Sequence, residues 1–245
     1  MLKVEGVSHS YYKQSWLTRG GQQVLHEITF EWRRGECLGI IGESGSGKST
    51  LGRLLLGIEK PDAGTVRYDG QPVTRRQTRR GAISAVFQDY RSSIHPFYTV
   101  QEALMEPLRL LELEASPRRL TELLDQVGLT PAYLAKYPHE LSGGEAQRVC
   151  IARAVATQPQ CLLLDEAISS LDGSVQMQVL RLLQELRSTL DLGYIFITHD
   201  IQAAAYLCDR VMIIQQGRIV ELVETAMLPH VRSPYARELL RKVMG

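Results

Sequence analysis

The hydrophobic pattern opens with two strand-like runs, LKVEGVSHSYY and VLHEITFEW, and Val24, Leu25, Ile28 and Phe30 suit an edge or half-buried strand. RRGE then turns the chain into CLGIIG, Cys37 to Gly42, a short apolar burst ending in glycine, with a helix expected from about Lys48 to Ile58. PDAG, Pro61 to Gly64, reads as a turn, TVRYDG as a short strand, and AISAVFQD, Ala82 to Asp89, as another strand. From Tyr98 to about Thr157 the spacing becomes helical: Val100, Leu104, Leu108 and Leu111, then Leu120, Leu123, Leu124 and Val127, broken by Pro107, Pro117, Pro131 and Pro138. CLLLDEA and YIFITHD are buried strands on either side of an amphipathic helix, VQMQVLRLLQELRSTL. RVMIIQQGRIVEL predicts a hairpin around Gln216 and Gly217, and SPYARELLRKVMG a short final helix. Such strand and helix alternation implies an α/β fold with a mostly parallel sheet and ligands at the carboxyl ends of its strands.

Composition acts mainly by exclusion. In 245 residues, 28 basic side chains face 27 acidic ones, so a formal charge of +1 gives no global field for nucleic acid or an anionic membrane. The cluster RRQTRR, Arg75 to Arg80, lacks interleaved aromatics and reads as a solvated loop rather than a nucleic-acid patch. Cys37, Cys150, Cys161 and Cys208 sit in apolar runs without metal-ligand spacing, as buried hydrophobes in a reducing compartment do. The N-terminus lacks a leader-like apolar stretch, and no run reaches the roughly 18 apolar residues of a membrane span. The expectation is a chain that is neither secreted nor membrane-spanning.

The chemistry begins at Gly42-Glu43-Ser44-Gly45-Ser46-Gly47-Lys48-Ser49-Thr50, a full G-x-x-x-x-G-K-[ST] pattern between a buried strand and a helix. Its backbone amides would hold a polyphosphate, Lys48 would place charge on the β and γ phosphates, and the Ser49 hydroxyl would bind Mg²⁺. Asp165 and Glu166 end a buried strand; Asp165 would hold Mg²⁺ through water and Glu166 would polarise the attacking water, although paired carboxylates there also serve as helix caps. His199 closes another strand as a γ-phosphate sensor or transition-state stabiliser, against the structural role a lone histidine often has. The Gln88 amide could ligate Mg²⁺ or the attacking water. A second serine-glycine element, LSGGEAQRVCIARAV from Leu141 to Val155, opens a helix and makes a second anion site.

GESGSGKST, Gln88, LSGGEAQR, LLLDEA, SSLD and ITHD, in this order, resemble the nucleotide-binding subunit of an ABC transporter over nearly the whole chain. The resemblance implies a P-loop NTPase core with an N-terminal antiparallel β subdomain and an inserted α-helical subdomain. It divides the chain into an ATP-binding core at 1–88 and 161–222, a helical subdomain at 89–160 and a short tail at 223–245. It also implies head-to-tail pairing, in which Leu141, Ser142, Gly143, Gly144 and Glu145 reach ATP bound to the partner, with Asp172 of SSLD tying the two sites together. Glu145 stands where glutamine is common in the family. Tyr11 is the candidate to stack on adenine, Tyr12 is its competitor, and a strand residue packed on the core is the alternative.

FQDYRSSIHPFYTVQEAL and SPYARELL are similar to segments of the peptide and nickel importers, with Tyr90 in place of proline and His95 in place of asparagine. That similarity implies an ATPase at the cytoplasmic face of the inner membrane, bound to permease subunits through about 89–110. A second ATPase, different or identical, and an external solute-binding protein would complete the assembly. The stop soon after PYARELL favours a metal or metal-chelate importer over an oligopeptide one. An exporter subunit is a further reading. A soluble ABC-type ATPase acting on DNA or ribosomes would carry two cassettes, long insertions or basic arms, none of which occurs.

Overall fold

The computed structural model describes residues 1–12, 21–75, 81–89 and 93–244, with the side chains of Tyr12 and 242–244 excluded. Tyr12 as the competitor of Tyr11, Tyr90, and most of the basic cluster, 76–80, therefore lie outside the described residues or side chains. In chain order the elements are β1 (Leu2–Tyr12), β2 (Gly21–Trp32), β3 (Cys37–Ile41), α1 (Lys48–Leu55), β4 (Ala63–Tyr68), β5 (Gln71–Pro72) and β6 (Ile83–Phe87). They continue with α2 (Val100–Leu110), α3 (Pro117–Gln126), α4 (Gly143–Val155), β7 (Cys161–Asp165), α5 (Gly173–Leu190) and β8 (Gly193–Ile197). The last are α6 (Ile201–Leu207), β9 (Arg210–Gln215), β10 (Arg218–Glu224) and α7 (Pro234–Met244). The chain divides into two compact units, Met1–Arg79 with Ile195–Gly245, and Arg80–Tyr194.

In the first unit, β2, β1, β4 and β5 form an antiparallel sheet in that order. Alternation buries Ile28, Phe30 and Trp32 on one face of β2, as expected of an edge strand with one wet face, and Leu25 is buried on the far side of an irregularity at Glu27, φ 50°. In the same unit the neighbours run β10, β9, β3, β8. The β3 and β9 strands are parallel, Leu38 opposite Arg210 and Ile41 opposite Ile213, whereas β9 and β10 form the antiparallel hairpin read from the sequence. All five residues of β3 are buried. Burial on both faces is what a continuous apolar run, rather than alternation, signals.

The second unit holds the parallel pair β6 and β7, with Phe87 opposite Asp165, and the helices α2 to α5. Leu104 and Leu108 of α2, Leu120, Leu123 and Leu124 of α3, and Val149, Ile151 and Ala152 of α4 make its helical core.

Three local expectations change. The helix α1 ends at Leu55 rather than Ile58, because Gly57 turns left-handed at φ 61° and stops it. Ala63 and Gly64 of the expected PDAG turn already belong to β4; a Cβ on Gly64 would lie 2.4 Å from the Glu5 and Gly6 carbonyl oxygens, so the close strand approach requires glycine. Pro107 lies inside α2 instead of breaking it, since the stripe Val100, Ala103, Leu104 and Leu108 stays buried across it. Pro117, Pro131 and Pro138 open helical turns, where a missing N–H costs little.

Candidate functional site

Residues of the first unit crowd the glycine loop after β3. A Cβ on Gly42 would stand 2.2 Å from the Ile214 carbonyl oxygen, and one on Gly47, at φ 102°, 2.8 Å from Leu25 Cδ2. No side chain larger than hydrogen fits at either place. The Gly217 N–H, in the tight β9–β10 turn, donates to the Ser46 carbonyl (3.0 Å), and the His26 N–H donates to the Gly217 carbonyl (2.9 Å). The hairpin tip thus wedges between β2 and the loop.

Lys48 is buried, and its Nζ donates to the Gly42 and Glu43 carbonyl oxygens, both at 2.8 Å. A buried ammonium persists only where such oxygens satisfy it. Among the described residues the buried Ser46 hydroxyl has no hydrogen-bond partner, so this polar atom in the loop still has capacity for a ligand oxygen. Glycine backbone, a buried cation and helix α1 starting at Lys48 fit an oligophosphate. Ser44, Gly45, Ser49 and Thr50 complete the same stretch, Gly45 at φ 79° with open space around it.

Tyr11 lies one residue before the end of β1 in the same unit, with its hydroxyl donating to Glu59 (2.7 Å) and accepting from Arg53 (2.6 Å). The edge of its ring meets His9 at a centroid distance of 5.0 Å. Arg53 also donates to Glu59 at 2.7 Å, so one ion pair fixes the ring relative to α1. His199 is exposed directly after β8, where the Thr198 N–H donates to the Ile40 carbonyl at 3.1 Å. It and the glycine loop therefore leave the carboxyl ends of neighbouring strands, where ligand crevices form in open α/β sheets.

In the second unit the β6–β7 register brings Gln88 and Glu166 to adjacent strand ends. Asp165 is buried, Gln88 is exposed, and Glu166 holds a left-handed backbone at φ 49° while its carbonyl accepts from the Ser169 N–H and hydroxyl. Within this unit the side-chain oxygens of Gln88 and Asp165 are hard donors of the kind Mg²⁺ takes, as is the Ser49 hydroxyl within the first unit.

Ser142 caps α4, accepting from the Glu145 N–H at 3.4 Å, and Glu145 Oε2 accepts from the Ser142 N–H at 2.8 Å. This reciprocal box explains the glutamate as a local device. Gly144 is required by packing, because a Cβ there would lie 2.7 Å from Val175 Cγ1 on α5. Ser142, Gly143, Gly144 and Glu145 line a cavity of about 360 Å³ together with Asp172 and Arg148. Leu141 precedes it in extended backbone. The LSGG and SSLD segments, separate in sequence, share one concave surface.

Two participants escaped the sequence reading. The Tyr133 hydroxyl donates a short hydrogen bond to Glu145 Oε1, and the Tyr235 hydroxyl accepts from the Glu43 N–H at 3.1 Å. Neither pair has any local sequence signal.

The family model described as ABC transporter matches residues 25–169. The chain is 50% identical to the metal-staphylopine import system ATP-binding protein CntF of Staphylococcus aureus, over 100% of both chains. It is 42% identical to the nickel import ATP-binding protein NikE of Rhodospirillum rubrum, over 100% of this chain and 91% of that protein. Among solved structures it is similar to the dimeric ATP-binding cassette MJ0796 in a post-hydrolysis state bound to ADP and Pi. That match has a TM-score of 0.81 and 28% identity, covering 92% of this chain and 99% of the other.

Proposed function

Since the chain belongs to the ABC transporter family, as an ATP-binding and ATP-hydrolysing subunit, we propose that it drives import of a small solute across the inner membrane. The cargo is a metal chelate, nickel or a peptide, with the metal chelate favoured. What carries this reading is 50% identity, end to end, with an ATPase named for metal-staphylopine import. Identity to a putative peptide import protein of Brucella ovis is 38%, over 78% of that protein.

In this reading the loop from Gly42 to Thr50 holds the ATP phosphates, Tyr11 stacks on adenine, and Lys48 leaves its loop carbonyls for the β and γ phosphates. Ser49, Gln88 and Asp165 hold Mg²⁺, which neutralises phosphate charge when bound. Glu166 takes a proton from the attacking water, and His199 stabilises charge on the transferred phosphoryl group. Leu141 to Glu145 and Asp172 act on ATP held by a second ATPase, a sister subunit or a second copy of this chain. MJ0796, a cassette solved as a dimer, supports such pairing. The core spans 1–88 and 161–222, with the helical subdomain at 89–160 and the tail at 223–245.

Among the described residues no helix is long and apolar enough to cross a membrane. A peripheral subunit on the cytoplasmic face, docked on permease subunits through about 89–110, accounts for the exposed aromatic cluster there: Phe97 is 81% exposed and the His95 ring lies 4.7 Å from Tyr98. An external solute-binding protein delivers the cargo, and nucleic acid has no part. The test is copurification of a tagged chain from its own membranes, followed by uptake of labelled nickel, metal chelate and peptide. Permease and ATPase partners with ATP-dependent uptake are expected; a chain that copurifies with no membrane subunit contradicts the proposal.

A further inference from the structure

The C-terminal helix reaches the glycine loop. Ser233 and Pro234 begin α7, and Glu221 of β10 fixes that start by accepting from the Ser233 N–H at 2.8 Å and the Arg232 N–H at 3.3 Å. Ala236 and Leu240, one turn apart, are buried and dock the helix. With that face inward, Tyr235 carries its hydroxyl to the loop, where it accepts from the Glu43 N–H at 3.1 Å.

The peptide it grips is unusually placed. The Glu43 N–H belongs to the same planar unit as the Gly42 carbonyl, which accepts from Lys48 Nζ at 2.8 Å. The next carbonyl, that of Glu43, accepts from Lys48 Nζ at 2.8 Å and from the Ser46 N–H at 3.2 Å. Rotation of the 42–43 peptide would break the Tyr235 and Lys48 bonds together. Gly42 must be glycine because of Ile214, and glycine leaves that peptide more rotational freedom than any other residue would. An external clamp removes this freedom before the nucleotide arrives, which is how preorganisation raises affinity.

We propose that Tyr235 is a positioning residue for nucleotide binding: through the 42–43 peptide, α7 holds the backbone of the phosphate loop in its binding geometry. The inference rests on the assignment of the loop as the ATP site. Neither the family motifs nor the tail itself marks Tyr235 for this task. The hydroxyl meets the loop at a backbone N–H, so its effect falls on binding and not on the chemical step.

The experiment compares Tyr235→Phe, Leu240→Ala and Lys48→Ala in the full chain, measuring MgATP and MgADP affinity by titration, steady-state KM and kcat, and Tm. Losing one hydrogen bond and its preorganisation should weaken both nucleotides about three- to tenfold in Tyr235→Phe, with KM raised in parallel, kcat within about twofold of wild type and Tm unchanged. Leu240→Ala, which loosens the helix, should lower Tm as well as affinity. Unchanged affinity in Tyr235→Phe, beside a Lys48→Ala variant that no longer binds, overturns the clamp alone. A fall in kcat without change in affinity, or a fall in Tm matching that of Leu240→Ala, also overturns it. Normal binding by Lys48→Ala overturns the loop assignment beneath it.

Discussion

The Tyr133 hydroxyl donates to the Glu145 carboxylate, and the two side chains lock the N-terminus of the helix that carries LSGG. This bond, followed by the Ser142 N–H and hydroxyl, holds the Glu145 carboxyl down to about 2 from 4.5. The same bond, then burial, raises the Tyr133 phenol above its usual range. A glutamate beside a proposed phosphate site is therefore spoken for by its own helix.

A depressed carboxyl contributes stability that is present above its unfolded pKa near 4.5 and lost as pH falls toward about 2. Glu145→Gln loses the charge and keeps one acceptor oxygen in place of two, where the Tyr133 hydroxyl uses Oε1 and the Ser142 N–H uses Oε2. Acid titration of Tm should show wild type more stable by up to about 1 kcal/mol at pH 7, with the two proteins converging between pH 4.5 and 2. A difference that is constant over that window contradicts the assignment.

Gly144 separates packing from backbone propensity. Alanine there gains helix propensity, about 1 kcal/mol, and meets Val175 Cγ1 at 2.7 Å, an overpacking cost of about 1–3 kcal/mol. Denaturant melts should find Gly144→Ala destabilised, and Gly144→Ala with Val175→Ala recovering most of the loss. Gly173→Ala, whose Cβ enters open space, should be neutral or stabilising. A Gly144→Ala variant as stable as Gly173→Ala would show that α4 and α5 are not in close contact at this point.

The four cysteines are free and buried. Burial pushes the Cys150 thiol up to about 12 and raises Cys161 as well, which leaves almost no thiolate at neutral pH. An aromatic disulfide reagent should titrate these thiols only after denaturant unfolds the chain. Rapid modification of Cys150 or Cys161 in the native protein would contradict the burial.

Much of this could be read along the chain because the signals are contiguous. Leu162 to Leu164 and Tyr194 to Ile197 read as strands, since a fully buried strand is a short apolar run with carboxylates or histidine at its end. The glycine loop and the serine cap are equally legible, each being a local pattern. The apolar spacing carries helix α1 past Leu55 because the left-handed stop at Gly57 leaves no mark in it, and Pro107 signals a break that the packing of α2 overrides. The pairs Tyr133–Glu145 and Tyr235–Glu43 were invisible for another reason. They depend on which strand or helix the fold sets beside which loop, and the second spans 192 positions. The approach of Cys37 Sγ to within 3.4 Å of Cys208 Sγ is of the same kind.

In the proposed reaction Glu166 is the group that activates water on ATP held by the glycine loop. Its most direct test is single-turnover hydrolysis by the transporter complex carrying Glu166→Gln, with bound ATP and released phosphate followed together. The account predicts retained ATP, phosphate release slowed at least about a hundredfold, and a longer-lived paired state. Phosphate release at the wild-type rate would contradict it and require another base.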